Sequence, residues 1–217
     1  MAFHIEEATD ADITAAMQAE AAAYGANKDA AGAILFPGPS SPDRLELKIQ
    51  QIIDMRKNDP TTTFLKAVED ETGDLMAFAK WNFYPTEEIA KNAPGRPIPN
   101  GPGCNPEACK AFFGGLVQKK AELIGNKPHV YLHMLHTHPK YQKRGAASAL
   151  IKWGMQKADE LGLAVYLESS LQAHTFYHHH GFKDAGRLVV DLQPFGGEEG
   201  MTHSAPLLVR EPVKQLA

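Results

Sequence analysis

A chain of 217 residues, 43% hydrophobic and 22% charged, suits one compact domain with a core of its own, spanning 1–217. Its formal charge of -4 argues against broad electrostatic capture of nucleic acid, although a local basic site survives that balance. No apolar run approaches the ~20 residues that cross a bilayer, so no membrane association is expected.

In chain order, Phe3-His4-Ile5 reads as a short strand, and Thr9 as the N-cap of a helix with Ile13, Ala16, Met17 and Ala21 inward. The acidic start MAFHIEEATDAD lacks a basic segment followed by an apolar one and is not expected to be a secretory signal. Gly25 to Pro42 reads as a loop whose apolar tip is Ile34-Leu35-Phe36. A second helix is predicted over Asp43–Asn58, with Leu45, Ile49, Ile52, Ile53 and Arg56 on one face. Phe64–Val68 and Leu75–Trp81 form a predicted hairpin about the turn Asp70–Asp74. The segment at about 84–106 is Pro/Gly-rich and reads as an insertion within the domain. Glu107–Ile124 is expected to be helical, with Phe112, Leu116 and Leu123 inward and Gly114-Gly115 a weak spot. Cys104 and Cys109 are expected to be free thiols in a reducing compartment, which points to the cytoplasm.

The stretch from His129 to Gly162 is the most informative. Val130, Leu132 and Met134 alternate with Tyr131 and Leu135, the pattern of a central strand, and Pro139 ends it. Ala147, Leu150, Ile151, Gly154, Ala158 and Leu161 then repeat at helical spacing up to Gly162. Between strand and helix lies Gln142-Lys143-Arg144-Gly145-Ala146-Ala147. Small residues let a ligand approach the backbone, and the first helical N–H groups, with the helix dipole, favour an anion such as a pyrophosphate. By itself this is also how an ordinary strand-to-helix connection looks. Further on, Arg187–Leu192 and Thr202–Arg210 read as the last strands.

Gln142, Gly145 and Ala147 resemble the Q/R-x-x-G-x-G/A signature of the GNAT superfamily of N-acetyltransferases, in the manner of its small fungal-type members. The block from Val165 to Phe182, with A-x-x-x-Y at Ala173 and Tyr177 and a closing Gly181-Phe182, resembles the family's second hallmark. The resemblance implies an α/β (α+β) acyl-CoA N-acyltransferase fold with a mixed, mostly antiparallel sheet of about six to seven strands flanked by helices. It also implies acetyl-CoA as co-substrate, with the diphosphate on Gln142, Lys143, Arg144, Gly145, Ala146 and Ala147. The pantetheine arm would lie along Leu135, His136 and Thr137, with Ser170 standing where the family often has asparagine.

Acetyl transfer to an amine needs a neutral amine, a polarised carbonyl and a proton for the departing thiolate. Tyr177 is the expected general acid, although a tyrosine there also reads as a core side chain. His133 or Glu168 is the expected base, His133 also reading as a satisfied interior histidine. His136 and His138 are expected to be structural or exposed. His174, His178, His179 and His180 invite a metal, but no carboxylate or cysteine stands beside them in sequence, so none is expected. The expected acceptor is a small-molecule amine; alternatives are a protein N-terminus or lysine, or a non-catalytic acyl-CoA-binding module. Nucleic acid is not an expected partner, and the protein is expected to be a monomer or homodimer.

Overall fold

The structure, a computed structural model, describes residues 2–25, 30–38 and 42–213; the rest of the loop expected over 25–42 lies outside them. Seven strands form one sheet: β1 (Phe3–Glu7), β2 (Thr62–Glu69), β3 (Leu75–Tyr84), β4 (His129–Thr137), β5 (Val165–Glu168), β6 (Lys183–Asp191) and β7 (Thr202–Arg210). Their order is β1-β2-β3-β4-β5-β7-β6, and only β4 and β5 run parallel. The mixed, mostly antiparallel sheet expected from the sequence is therefore present. A parallel pair needs a long crossover, and helix α7 (Ala146–Leu161) supplies it.

Helix α7 packs on one face of the sheet, where Leu150, Ile151 and Ala158 join Ala79, Trp81, Leu132 and Leu167 in a single apolar cluster. Gly154 lets the helix lie directly on Trp81: a Cβ there would stand 2.2 Å from the indole ring. Leu161, expected inward, is instead half exposed at the end of the helix, and Ala146 is buried at its start. Gly162 closes α7 with φ 67°, a conformation glycine adopts at no steric cost.

The opposite face carries two separate clusters. Helices α1 (Ile13–Gly25) and α3 (Pro42–Asn58) bring Ile13, Met17 and Ile52 onto Phe64 and Phe78. Ala21, expected inward on α1, is exposed, while Ala19 is buried. The second cluster gathers Leu35, Cys109, Phe112 and Leu116 over Tyr84, Tyr131, Tyr166 and Leu207. Its helices are α2 (Ala30–Leu35), α5 (Pro106–Cys109) and α6 (Gly115–Leu123). The tip read as a loop is thus partly helical, because Leu35 finds an apolar seat. A π-helical turn, Lys110–Gly114, joins α5 to α6 where Gly114-Gly115 weakens the α-helical ladder. The insertion holds one short helix, α4 (Glu87–Asn92), capped by the Thr86 hydroxyl, which accepts from the Ile89 N–H at 3.2 Å. Helix α8 (His174–His179) precedes β6.

One irregularity decides the layout of β4. Lys80 pairs with Met134 and Trp81 with Leu132, so His133 is an extra residue, a β-bulge. Side-chain alternation changes phase there. Val130 and Leu132 point to the α7 face, yet Met134 packs with the α1–α3 cluster and Leu135 with the α7 cluster. The sequence expectation that Met134 continues the side of Val130 and Leu132 is corrected by that single inserted residue. Pairing with β5 covers only Val130–Leu132 against Val165–Leu167. Beyond it the two strands separate, and among the described residues the β5-facing edge of β4 has no strand partner.

Candidate active site

The cleft between β4 and β5 opens towards the turn before α7. Leu135, His136 and Thr137 lie along the unpaired edge of β4, while their other edge is held by Ala79, Phe78 and Ala77 of β3. The His136 ring stacks on Phe78 and its Nε2 lies 2.9 Å from the Ala16 carbonyl oxygen, so its side chain is structural and its backbone faces the cleft edge. After Pro139–Tyr141, a 3-10 turn, Gln142 is extended. Lys143 (φ 61°) and Gly145 (φ 90°) are both left-handed, which bends the backbone into a concave run of amides ahead of α7. The first N–H groups of the helix, from Ala146 on, add to that run, since they have no intrahelical acceptor. Lys143 is exposed beside it. The Arg144 guanidinium is turned back, 3.0 Å from the buried Glu69 carboxylate and stacked over Tyr141.

On the face opposite α7, a cavity of about 310 Å³ lies in the gap between the two clusters. Its floor is Lys80, Asn82 and Tyr84 of β3 with Tyr131 and His133 of β4; α3 forms one wall, and Pro94 to Pro97 of the insertion cover it. The polar groups are tightly connected. Asn82 donates to the Asp59 carboxylate at 2.9 Å and to the Thr62 hydroxyl at 2.7 Å. Lys80 Nζ lies 3.0 Å from His133 Nδ1. Burial pushes the Lys80 ammonium down to about 8, although Asp59 pulls the other way. Burial, and then the nearby charges of Lys80, Arg96 and Lys120, hold His133 well below the usual histidine range. His133 is therefore a neutral imidazole whose Nδ1 accepts from Lys80.

Glu168, at the end of β5, accepts from the Tyr131 hydroxyl at 2.6 Å and from Arg96 at 3.1 Å. Its side chain is only 7% exposed, so the carboxylate is anchored rather than free to move. Tyr177 of α8 is buried against Phe176 and Phe182 in the α7-face cluster, and burial raises its pKa. The Ser170 hydroxyl accepts from the Ala173 N–H at 3.2 Å, fixing the chain between β5 and α8. Cys104 and Cys109 are both thiols, as expected, and Cys109 is buried in the second cluster.

His133 thus lines the cavity, Glu168 touches its lining through Tyr131 and Arg96, and Tyr177 lies in the cluster on the α7 face. Lys80, Asn82, Asp59 and Arg96 were missed in the sequence. Lys80 and Asn82 left a signal, being polar residues inside the otherwise apolar strand Leu75–Tyr84. Arg96 left none, since nothing in a Pro/Gly-rich segment says that it will reach a carboxylate in β5. Outside the cleft, Asp184 lies beside the histidine cluster: His174 Nε2 is 2.6 Å from Asp184 Oδ1, because the turn at Gly181-Phe182 folds β6 back along α8.

The sequence model described as "Acetyltransferase (GNAT) family" matches residues 30–182. Three solved structures share the fold. Arylalkylamine N-acetyltransferase 2 from Aedes aegypti is 13% identical, with 97% of this chain and 99% of that one covered and a TM-score of 0.65. The ribosomal-protein-S18-alanine N-acetyltransferase from Escherichia coli is 13% identical, covering 100% and 97%, with a TM-score of 0.55. The PaiA N-acetyltransferase from Thermoplasma acidophilum, in complex with coenzyme A, is 12% identical, covering 97% and 99%, with a TM-score of 0.51. No match emerges among curated protein sequences. Among the described residues, no helix is long and apolar enough to cross a membrane.

Proposed function

The chain belongs to the GNAT acetyltransferase family and is an acetyl-CoA-dependent acyltransferase; from that premise we propose that it acetylates a primary amine of a small molecule by direct attack in a ternary complex. The observation that carries this reading is the parting of β4 from β5 beyond Leu132, which leaves a strand edge beside a concave run of amides. Coenzyme A supplies the acetyl group as an activated thioester. The amides from Lys143 to Ala147, with Gln142 beside them, hold its diphosphate, and the backbone of Leu135, His136 and Thr137 pairs with the pantetheine arm. Ser170 borders the arm from the β5 side. The coenzyme A complex of PaiA and the arylalkylamine acetyltransferase fold support this assignment.

The acceptor amine occupies the cavity under Pro94–Pro97, whose about 310 Å³ favours a small molecule over a folded protein surface. An alkylammonium must lose a proton before it attacks. Of the two base candidates, Glu168 is committed to Tyr131 and Arg96, and acts by fixing Tyr131. His133 lines the cavity and is hydrogen-bonded to Lys80, whose pKa of about 8 lies nearest to neutrality among the cavity's shifted groups. Once Lys80 is neutral it can accept from His133 Nδ1–H, and the proton leaves as His133 Nε2 takes it up while Nδ1 passes its own to Lys80. Tyr177 remains protonated at neutral pH because burial raises its pKa, and it donates to the departing thiolate. The reaction runs in the cytoplasm with a monomer or homodimer.

Coenzyme A release on a panel of small amines tests the proposal. Turnover is expected, with kcat lowered about 10²-fold in Tyr177→Phe and KM for acetyl-CoA little changed. Coenzyme A binding without release on any amine would instead identify a non-catalytic binding module, and release confined to peptides a protein acetyltransferase.

A further inference from the structure

Three potential ligand atoms converge outside the cleft. His174 Nε2 and Asp184 Oδ1 are 2.6 Å apart, His178 Nε2 and His174 Nε2 3.1 Å, and His178 Nε2 and Asp184 Oδ1 3.5 Å. The two histidines are four apart on α8 and so share a helix face, while Asp184 comes from the start of β6. Their ring centroids are 4.5 Å apart, wider than the two Nε2 atoms, so the rings approach through those nitrogens.

Hydrogen bonds serve part of this meeting point, since each imidazole can donate its Nε2 hydrogen to Asp184. That arrangement leaves two N–H groups 3.1 Å apart with no acceptor between them. A cation instead lets all three lone pairs aim at one centre. The circle through the three atoms has a radius of about 1.8 Å. Bonds from zinc to imidazole nitrogen and carboxylate oxygen are roughly 2.0–2.2 Å, so an ion ~1 Å off that plane reaches all three. The side chains of His178 and Asp184 are 40% and 55% exposed, which leaves room for water to complete the coordination.

We propose that His174, His178 and Asp184 form a binding site for one divalent first-row transition-metal ion, zinc being the best match to two imidazoles and a carboxylate in an open three-ligand site. The ion clamps α8 to the edge strand β6. Tyr177 lies on the same helix, but none of the three ligands is assigned a part in acetyl transfer, and metal uptake is read without turnover, so the site holds or fails independently of the function proposed above.

The test uses the full chain, stripped with a chelator and titrated with zinc chloride in a calorimeter. About one zinc ion per chain is expected to bind saturably, raising the thermal midpoint and slowing amide exchange across 174–179. His174→Ala and Asp184→Asn are each expected to weaken binding by at least ~10-fold. His179→Ala, next to the site but outside the triad, is expected to bind as the parent does. Unchanged circular dichroism of the metal-free variants separates lost ligation from misfolding. Absence of saturable uptake would overturn the site, as would uptake that survives Asp184→Asn or disappears in His179→Ala, since the last two indicate a bare histidine run.

Discussion

The two faces of β3 and β4 teach opposite lessons about the same few residues of chain. Towards α7, Ala77, Ala79, Trp81, Val130 and Leu132 are buried and apolar, and these five side chains only pack, Tyr177 of α8 being the one proposed reacting group in their cluster. Towards the other helices, Lys80, Asn82, Tyr131 and His133 surround a cavity and are held by one another and by Asp59. A sheet whose two faces were equally sealed would have no place for a substrate. Here two clusters cover the second face with a gap between them, and the polar residues occur in the gap.

If that contrast is correct, the α7 face should respond to volume and the cavity face to charge. The largest effect is expected from Gly154→Val, which forces a side chain against the Trp81 ring where even a Cβ would stand 2.2 Å away. Overpacking of this kind costs about 3 kcal/mol or more, read as a lower urea midpoint, whereas the fraction still folded should turn over normally. A fall in turnover per folded molecule would blur the division between the faces.

Acid should reveal the cavity side next. His129, buried beside Tyr84, is pushed down to about 4 by burial and then by Lys120, and His133 and His136 are shifted in the same direction. Below the unfolded value near ~6.5 the unfolded chain takes up protons that the folded one refuses, so stability falls as pH drops from there towards 4. His129 alone accounts for about 3 kcal/mol by pH 4, and His129→Gln should flatten the stability profile over that window. An equally steep profile in the variant would exclude His129 as a cause.

The smallest effect on stability, and the one most specific to function, is expected from Lys80→Met. Removing a buried ammonium should leave the thermal midpoint nearly unchanged. Turnover should fall at least ~10-fold, and the rise in rate as Lys80 deprotonates through pH about 8 should vanish. A retained limb at that pH would assign it to another group.

Much of the frame was legible because its signals are local. The apolar repeat of α7, its stop at Gly162 and the small residues around Gly145 all lie within one stretch of sequence. What escaped depended on distant partners. Residues 30–35 have the sequence AAGAIL, too short to hold a helix on its own, and Leu35 is received by the cluster of Tyr84 and Cys109. Arg96 finds Glu168 across 72 positions, and Asp184 finds His174 only once β6 turns back. The phase change in β4 escaped for another reason. Nothing in HVYLHMLHT announces which residue will be left out of the ladder with β3, because either phase places apolar groups on both faces.

That surplus residue at 133 gives a shortened chain a definite fate. Deleting it would close the bulge without disturbing the pairs on either side: Met134 would still face Lys80, Leu132 would still face Trp81, and the His136 ring would stay at the Ala16 carbonyl. The shortened chain would keep its hydrophobic interior and lose only the imidazole beside Lys80, so the damage would be confined to the doorway.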